Sequence, residues 1–234
     1  GEFVNIDNLI DYVIAEVFLS NSDWPHNNVR KWRPRHANGK WRWIPYDLDG
    51  ILGMEARSPS ENTLLDVVLS SSGTHRVRFI EMIQKILGEE KGRSRFAHRF
   101  TTHMQTTLSK EHILRAIDSK QATLLPEMAR HINRWRMDPV AVENEEIKEE
   151  WSLPIRNIDE WLAEVQKLRD YAMVRHTHVW EHLQTDLDLG TPATLQIDAG
   201  KPGLLDVKVE GLSMPKNGNK WSARFFTNLP MQLS

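Results

Sequence analysis

Asp23, Asn27, Asn28, Asp47 and Asp49 are the side chains of this 234-residue chain best equipped to do chemistry. All five offer hard oxygen donors of the kind that hold magnesium or calcium. They fall in two clusters, DWPHNN and YDLDG, on either side of the stretch VRKWRPRHANGKWRWIP. A carboxylate at such a site can also accept a proton as a general base. Paired carboxylates, Asp23 with Asp47 or Asp49, suit acid–base cleavage of a glycosidic bond as an alternative chemistry.

Other candidates carry less. His178 and His182 stand four apart, one spacing of a zinc pair, with His176 nearby. No Glu follows His178 in the HExxH pattern and Glu181 is displaced, so partly exposed histidines are the expectation. The run GRSRFAHRF gathers Arg93, Arg95, His98 and Arg99, and reads as a solvated helix face rather than an anion site. Ser70-Ser71-Ser72-Gly73 reads as a loop without a nucleophile elbow, and ENEEIKEE as an exposed acidic linker or helix end.

To act together, the two acidic clusters must be folded onto one another. Asn38-Gly39 is a hairpin signal because both residues tolerate positive φ. Val29–Arg33 and Trp41–Pro45 flank it with β-branched and aromatic residues, so a tight ribbon bent there brings its outer ends together. Trp24, Trp32, Trp41 and Trp43 are expected to pack that ribbon rather than form a sugar platform. The spacing of Ile6, Leu9, Ile10, Val13, Ile14, Val17 and Phe18 predicts a helix over Asn5–Leu19, capped by Asn5 or Asp7. Pro25 turns the chain into the ribbon, and Gly50 and Gly53 permit close turns after the second cluster.

Beyond Ser60 the pattern is helical as far as about residue 185. Short helices are predicted at Leu64–Leu69, Val77–Leu87 and Arg93–Leu108, and a fourth is capped by Ser109. Pro126 is expected to break or kink it, leaving a separate helix through Met128, Ile132 and Trp135. Asn157 with Glu160 resembles a capping box opening a long helix with Trp161, Val165, Leu168, Ala172 and Val179 on its inner face. Composition changes at Gly190, where strand-prone segments 191–199, 204–211 and 221–226 are broken by Lys201-Pro202-Gly203 and Asn217-Gly218. The fold class is therefore α+β and mostly helical, divided into residues 1–189 and a small antiparallel β appendage at 190–234.

A net charge of −2 gives no electrostatic case for nucleic acid as a partner. No apolar run approaches a membrane span, and there is no cysteine for disulfides, thiolate metal sites or cysteine nucleophiles. Gly1-Glu2-Phe3 reads as a cloning remnant, leaving open a removed leader.

The stretches NIDNLIDYVIAEVF, SDWPHNNVRKWRP and GKWRWIPYDLDGILG resemble the CotH kinase family of atypical secreted or spore-coat protein kinases. The resemblance spans roughly residues 4–187 and is strongest over 5–53. It implies a protein-kinase-like C-lobe with a β-hairpin at the active site, and transfer of the ATP γ-phosphoryl group to a protein Ser/Thr hydroxyl with Mg2+. Asp23 would be the catalytic base, Asn28 and Asp47 magnesium ligands, and Asp49 a support for the metal or its loop. It further implies a bacterial, secreted or cell-surface setting. No Gly-x-Gly-x-x-Gly occurs and nothing precedes the first helix, so the expectation is a C-lobe without its N-lobe, inactive alone. A non-catalytic surface or carbohydrate-associated module is the remaining alternative.

Overall fold

A computed structural model describes residues 3–54, 57–70, 78–135, 155–200 and 206–234. Helix α1 (Ile6–Leu19) opens where Asn5 Oδ1 accepts the Asn8 amide at 3.0 Å, and ends at Ser20 in the left-handed region. Its apolar positions are buried at the predicted spacing, from Leu9 to Phe18. At about 2 kcal/mol for each large apolar side chain removed from water, this stripe anchors the main core.

The ribbon consists of β1 (Arg30–Trp32) and β2 (Arg42–Ile44), antiparallel with Arg30 opposite Ile44 and Trp32 opposite Arg42. Its bend differs from the expected two-residue turn. Neither Asn38 nor Gly39 adopts positive φ, and residues 33–41 form a longer loop in which the Gly39 amide donates to His36 O at 2.9 Å. Gly39 is required there by crowding, since a Cβ would stand 2.2 Å from Pro34 O. Trp24 and Trp43 pack in the core as expected, whereas Trp32 is exposed.

A π-helical turn (Leu64–Leu69) leads to α2 (Arg78–Gly88), α3 (Glu90–Gln105), α4 (Lys110–Trp135) and α5 (Ile158–Asp186). The helix predicted at Leu64–Leu69 is thus wound more loosely. Helix α4 runs unbroken through Pro126, so two expected helices are one. The carbonyl that the proline releases falls on the exposed stretch 122–127, where water can take it. Helix α5 starts as predicted, with Asn157 Oδ1 accepting the Glu160 amide at 2.9 Å. Val77, Ser71-Ser72-Gly73 and ENEEIKEE lie outside the described residues.

After α5, β3 (Pro192–Asp198) pairs with β7 (Lys220–Phe226), which also carries β6 (Lys216–Asn217); β4 (Lys208–Val209) pairs with β5 (Leu212–Ser213). The chain is α+β and mostly helical, as predicted. The sheet docks on α3: the Gln105 amide donates to Arg224 O at 2.8 Å and accepts the Arg224 N–H at 2.7 Å. Phe226 reaches the main core beside Trp180.

The GRSRFAHRF run is not a solvated face. Arg99 is buried and grips both Asp11 carboxylate oxygens at 2.8 and 2.6 Å, while Arg95 pairs with Asp7 at 2.6 Å. Asp7 and Asp11 stand one turn apart on α1, so the run ties α3 to α1 instead of facing water. His98 is fully buried with its ring edge-on to Phe225, at 5.6 Å between centroids. His178 and His182 stack at 6.3 Å, with His178 beside Glu181.

Burial holds the His98 and His176 imidazoles below the usual value of 6.5. A depressed folded pKa makes their contribution complete above 6.5 and lost as pH falls through the folded value. Because buried Glu16 pulls the other way, the expected result is a difference: on going from pH 7.5 to pH 5 the wild type loses melting temperature relative to His98→Gln. Circular dichroism melts across that range check this, and two parallel profiles contradict it.

Candidate active site

The loop bearing Asp23 is built directly on the end of α1. Glu16 is buried and accepts a hydrogen bond from Asn21 Nδ2 at 2.8 Å. Asn21 Oδ1 accepts the Asp23 amide at 3.1 Å, and Asp23 O accepts the Asn27 amide at 3.0 Å. Asp23 Oδ2 then accepts Asn28 Nδ2 at 3.2 Å. A continuous set of hydrogen bonds therefore runs from a core carboxylate to Asp23 and on to Asn28.

Arg175 of α5 supports the same loop from beneath. Its guanidinium is fully buried and donates to Phe18 O at 2.9 Å, Val17 O at 2.8 Å, Pro59 O at 2.8 Å and Glu61 O at 2.6 Å. The carbonyls at the end of a helix are otherwise orphaned, and a cation there also meets the negative end of the dipole. Burial lowers the Arg175 pKa from its ordinary value, with the guanidinium still a donor to every one of these oxygens.

The second acidic cluster is attached by its backbone. Ser22 N–H donates to Gly50 O at 2.9 Å, and Leu52 N–H donates to Leu19 O at 3.0 Å. Gly50 permits this contact, because a Cβ would lie 2.4 Å from Ser22 Oγ. Asp23 and Asp49 therefore flank one backbone hydrogen bond. Asn28 and Asp47 leave the ribbon at its same end, and both take left-handed backbone, with φ of 59° and 55°. Asn and Asp tolerate that region better than most residues, and such conformations gather at functional sites. Asp47 and Asp49 are exposed and make no hydrogen bond or ion pair to Asp23 or Asn28.

Among the described residues, no three His, Cys, Asp or Glu side chains form a metal-binding group. The oxygen donors nonetheless fit magnesium, which keeps several waters and takes only one or two carboxylates. Because Asn28 spends its Nδ2 on Asp23, its Oδ1 remains the amide oxygen available to a metal.

A family model described as CotH kinase protein matches residues 1–179. The chain belongs to the CotH kinase family. No curated protein and no solved structure matches it. The family is kinase-like, and among the described residues no helix is long and apolar enough to cross a membrane.

The residues that support the CotH-family loop lie outside the motif that carries the acidic clusters. Glu16 and Arg175 both sit on apolar faces, Glu16 three residues after Val13 and Arg175 between Ala172 and Val179. A charged residue at a core position of a helix is the signal that marks them.

Burial, opposed by the Asn21 bond, raises the Glu16 pKa above its usual 4.5. A raised folded pKa contributes stability that is present below the unfolded value and lost as pH rises through the folded one. Glu16→Gln keeps an acceptor for Asn21 without the buried charge. It is expected to melt at or above the wild-type temperature near pH 8, with the gap closing as pH falls toward 4.5. A Glu16→Gln protein markedly less stable at pH 8 contradicts this reading.

Proposed function

We propose that the two clusters form the phosphoryl-transfer site of an atypical protein kinase, with ATP as donor and a protein Ser/Thr hydroxyl as acceptor. Residues 1–189 act as a kinase-like C-lobe and residues 190–234 as its β appendage, in a secreted or cell-surface bacterial protein. Support comes above all from the Asn28–Asp23 hydrogen bond at 3.2 Å, which joins a base and a metal ligand five residues apart at the mouth of a hairpin.

In this reading Asp23 accepts the proton of the acceptor hydroxyl as its oxygen bonds to the γ-phosphorus. The bond to the β-phosphate oxygen breaks, and ADP leaves. Asn28 and Asp47 would hold Mg2+, with Asp49 supporting them. The bound ion supplies charge neutralisation at the phosphate oxygens. Asn28 also fixes the Asp23 carboxylate in orientation, and the exposure of Asp47 and Asp49 leaves the site open to a nucleotide.

The test is transfer of the terminal phosphate of labelled ATP to a protein acceptor by the full-length protein. Transfer that requires Mg2+ and disappears on chelation is expected. Absence of transfer, or release of reducing sugar from polysaccharide instead, overturns the proposal.

A further inference from the structure

The ribbon between the two acidic clusters carries more charge than the proposed chemistry uses. No acidic residue occurs between Asp23 and Asp47, whereas Arg30, Lys31, Arg33, Arg35, Lys40 and Arg42 are all exposed there. None of these six makes an ion pair among the described residues. Arg57, Arg95, Arg99, Arg130, Arg156 and Arg169 each find a carboxylate. The concentration is local, because the whole chain is net −2.

Aromatic faces hold three of these cations in place. The Arg30 guanidinium lies 4.7 Å from the Tyr46 ring centroid, and Lys31 and Arg33 lie 5.2 and 5.3 Å from that of Trp41. Stacking orders a long side chain without neutralising it, so its charge remains available to a partner.

One edge of the ribbon is also open. On the β2 side, the Asn8 side chain donates to Trp43 O at 3.2 Å and accepts the Trp43 N–H at 2.6 Å, standing in for a strand. The backbone groups of Trp43 therefore point away from β1. Its partner in the register is Lys31, and alternation along an antiparallel pair turns the Lys31 N–H and C=O outward too. Among the described residues no strand lies beside β1 on that side.

We infer that the ribbon docks an extended acidic segment of the protein substrate, added as a third strand along the open edge of β1. This deepens the kinase reading and rests on it: β1 starts two residues after Asn28, so a segment bound there runs toward Asp23. Opposite charge on the segment complements the six cations, and Lys31 supplies the main-chain donor and acceptor of strand addition. A nucleic acid or polyphosphate offers charge but no peptide ladder for that edge.

The experiment is fluorescence anisotropy of short labelled peptides with the 234-residue chain, without nucleotide or metal. The peptides are an Asp/Glu-rich sequence with alanine at the acceptor position, the same sequence N-methylated at alternate residues in each of the two registers, and a Lys-rich counterpart. An oligonucleotide of matched charge completes the set. Salt-sensitive binding of the first is expected, weakened about tenfold or more in Lys31→Glu/Arg33→Glu and lost on N-methylation in one of the two registers. Equal binding of the Lys-rich peptide, or oligonucleotide binding without acidic-peptide binding, overturns the inference. So does an affinity unchanged by both N-methylation registers. Because no hydroxyl or ATP is present, failure here leaves phosphoryl transfer standing. Binding without any transfer activity counts against the active-site reading and not against the docking.

Discussion

Asp23→Ala is expected to lower phosphoryl transfer by about two to four orders of magnitude, the usual worth of a positioned general base. The fold should survive. The side chain gives up one partly buried hydrogen bond, from Asn28, worth about 1 kcal/mol. The bonds to Asn21 and Asn27 use the Asp23 backbone and persist. Asp23→Asn separates chemistry from support, because it keeps the shape and can still bond Asn28 but is a far weaker base. A loss similar to that of Asp23→Ala, with an unchanged melting temperature, is the expected result. Near-wild-type transfer by Asp23→Asn excludes a role as base.

The largest effect on stability is expected at Arg175. Arg175→Met leaves the carbonyl oxygens of Phe18, Pro59 and Glu61 without their guanidinium donor inside the protein, while Val17 O keeps the Ser20 N–H. Each buried acceptor left unsatisfied costs about 1–3 kcal/mol, so together they take a large share of the roughly 5–15 kcal/mol that holds a domain folded. Arg175→Lys retains a cation but not the planar fork that reaches both the helix end and the Pro59–Glu61 segment, so it should recover only part of the loss. Urea unfolding of the two variants measures this. A cost below about 1 kcal/mol for Arg175→Met contradicts a clamping role. Since the clamped carbonyls lie at the end of α1, a partly folded Arg175→Lys protein should also position Asp23 less well.

Local signals were the legible part of the fold. Helix α1 followed from the spacing of Leu9, Ile10, Val13 and Ile14, and Asn157 announced the start of α5. These depend on residues within one or two turns of each other. What the sequence obscured depends on distant partners. Asn38-Gly39 promised a two-residue turn, but Pro34 O crowds Gly39 and the bend is built around that contact. The cations of α3 resembled a solvated face because Asp7 and Asp11, which meet them, are more than eighty residues away.

The candidate site divides the same way. Asp23 and Asn28 stand close in the chain and are hydrogen-bonded. Asp49 reaches Asp23 only through the Ser22–Gly50 contact, which the two glycines foreshadowed without specifying. Glu16, Asn21 and Arg175 are not legible from spacing, because each acts through a backbone or amide partner whose position the spacing alone does not reveal.

The most direct measurement of the central claim is the location of a divalent ion by anomalous scattering, in crystals grown with Mn2+ in place of Mg2+. A peak at about 2 Å from the Asn28 and Asp47 side-chain oxygens, absent from crystals of Asp47→Ala, is the expected result. A peak elsewhere on the molecule, or none beside these two residues at saturating Mn2+, contradicts it.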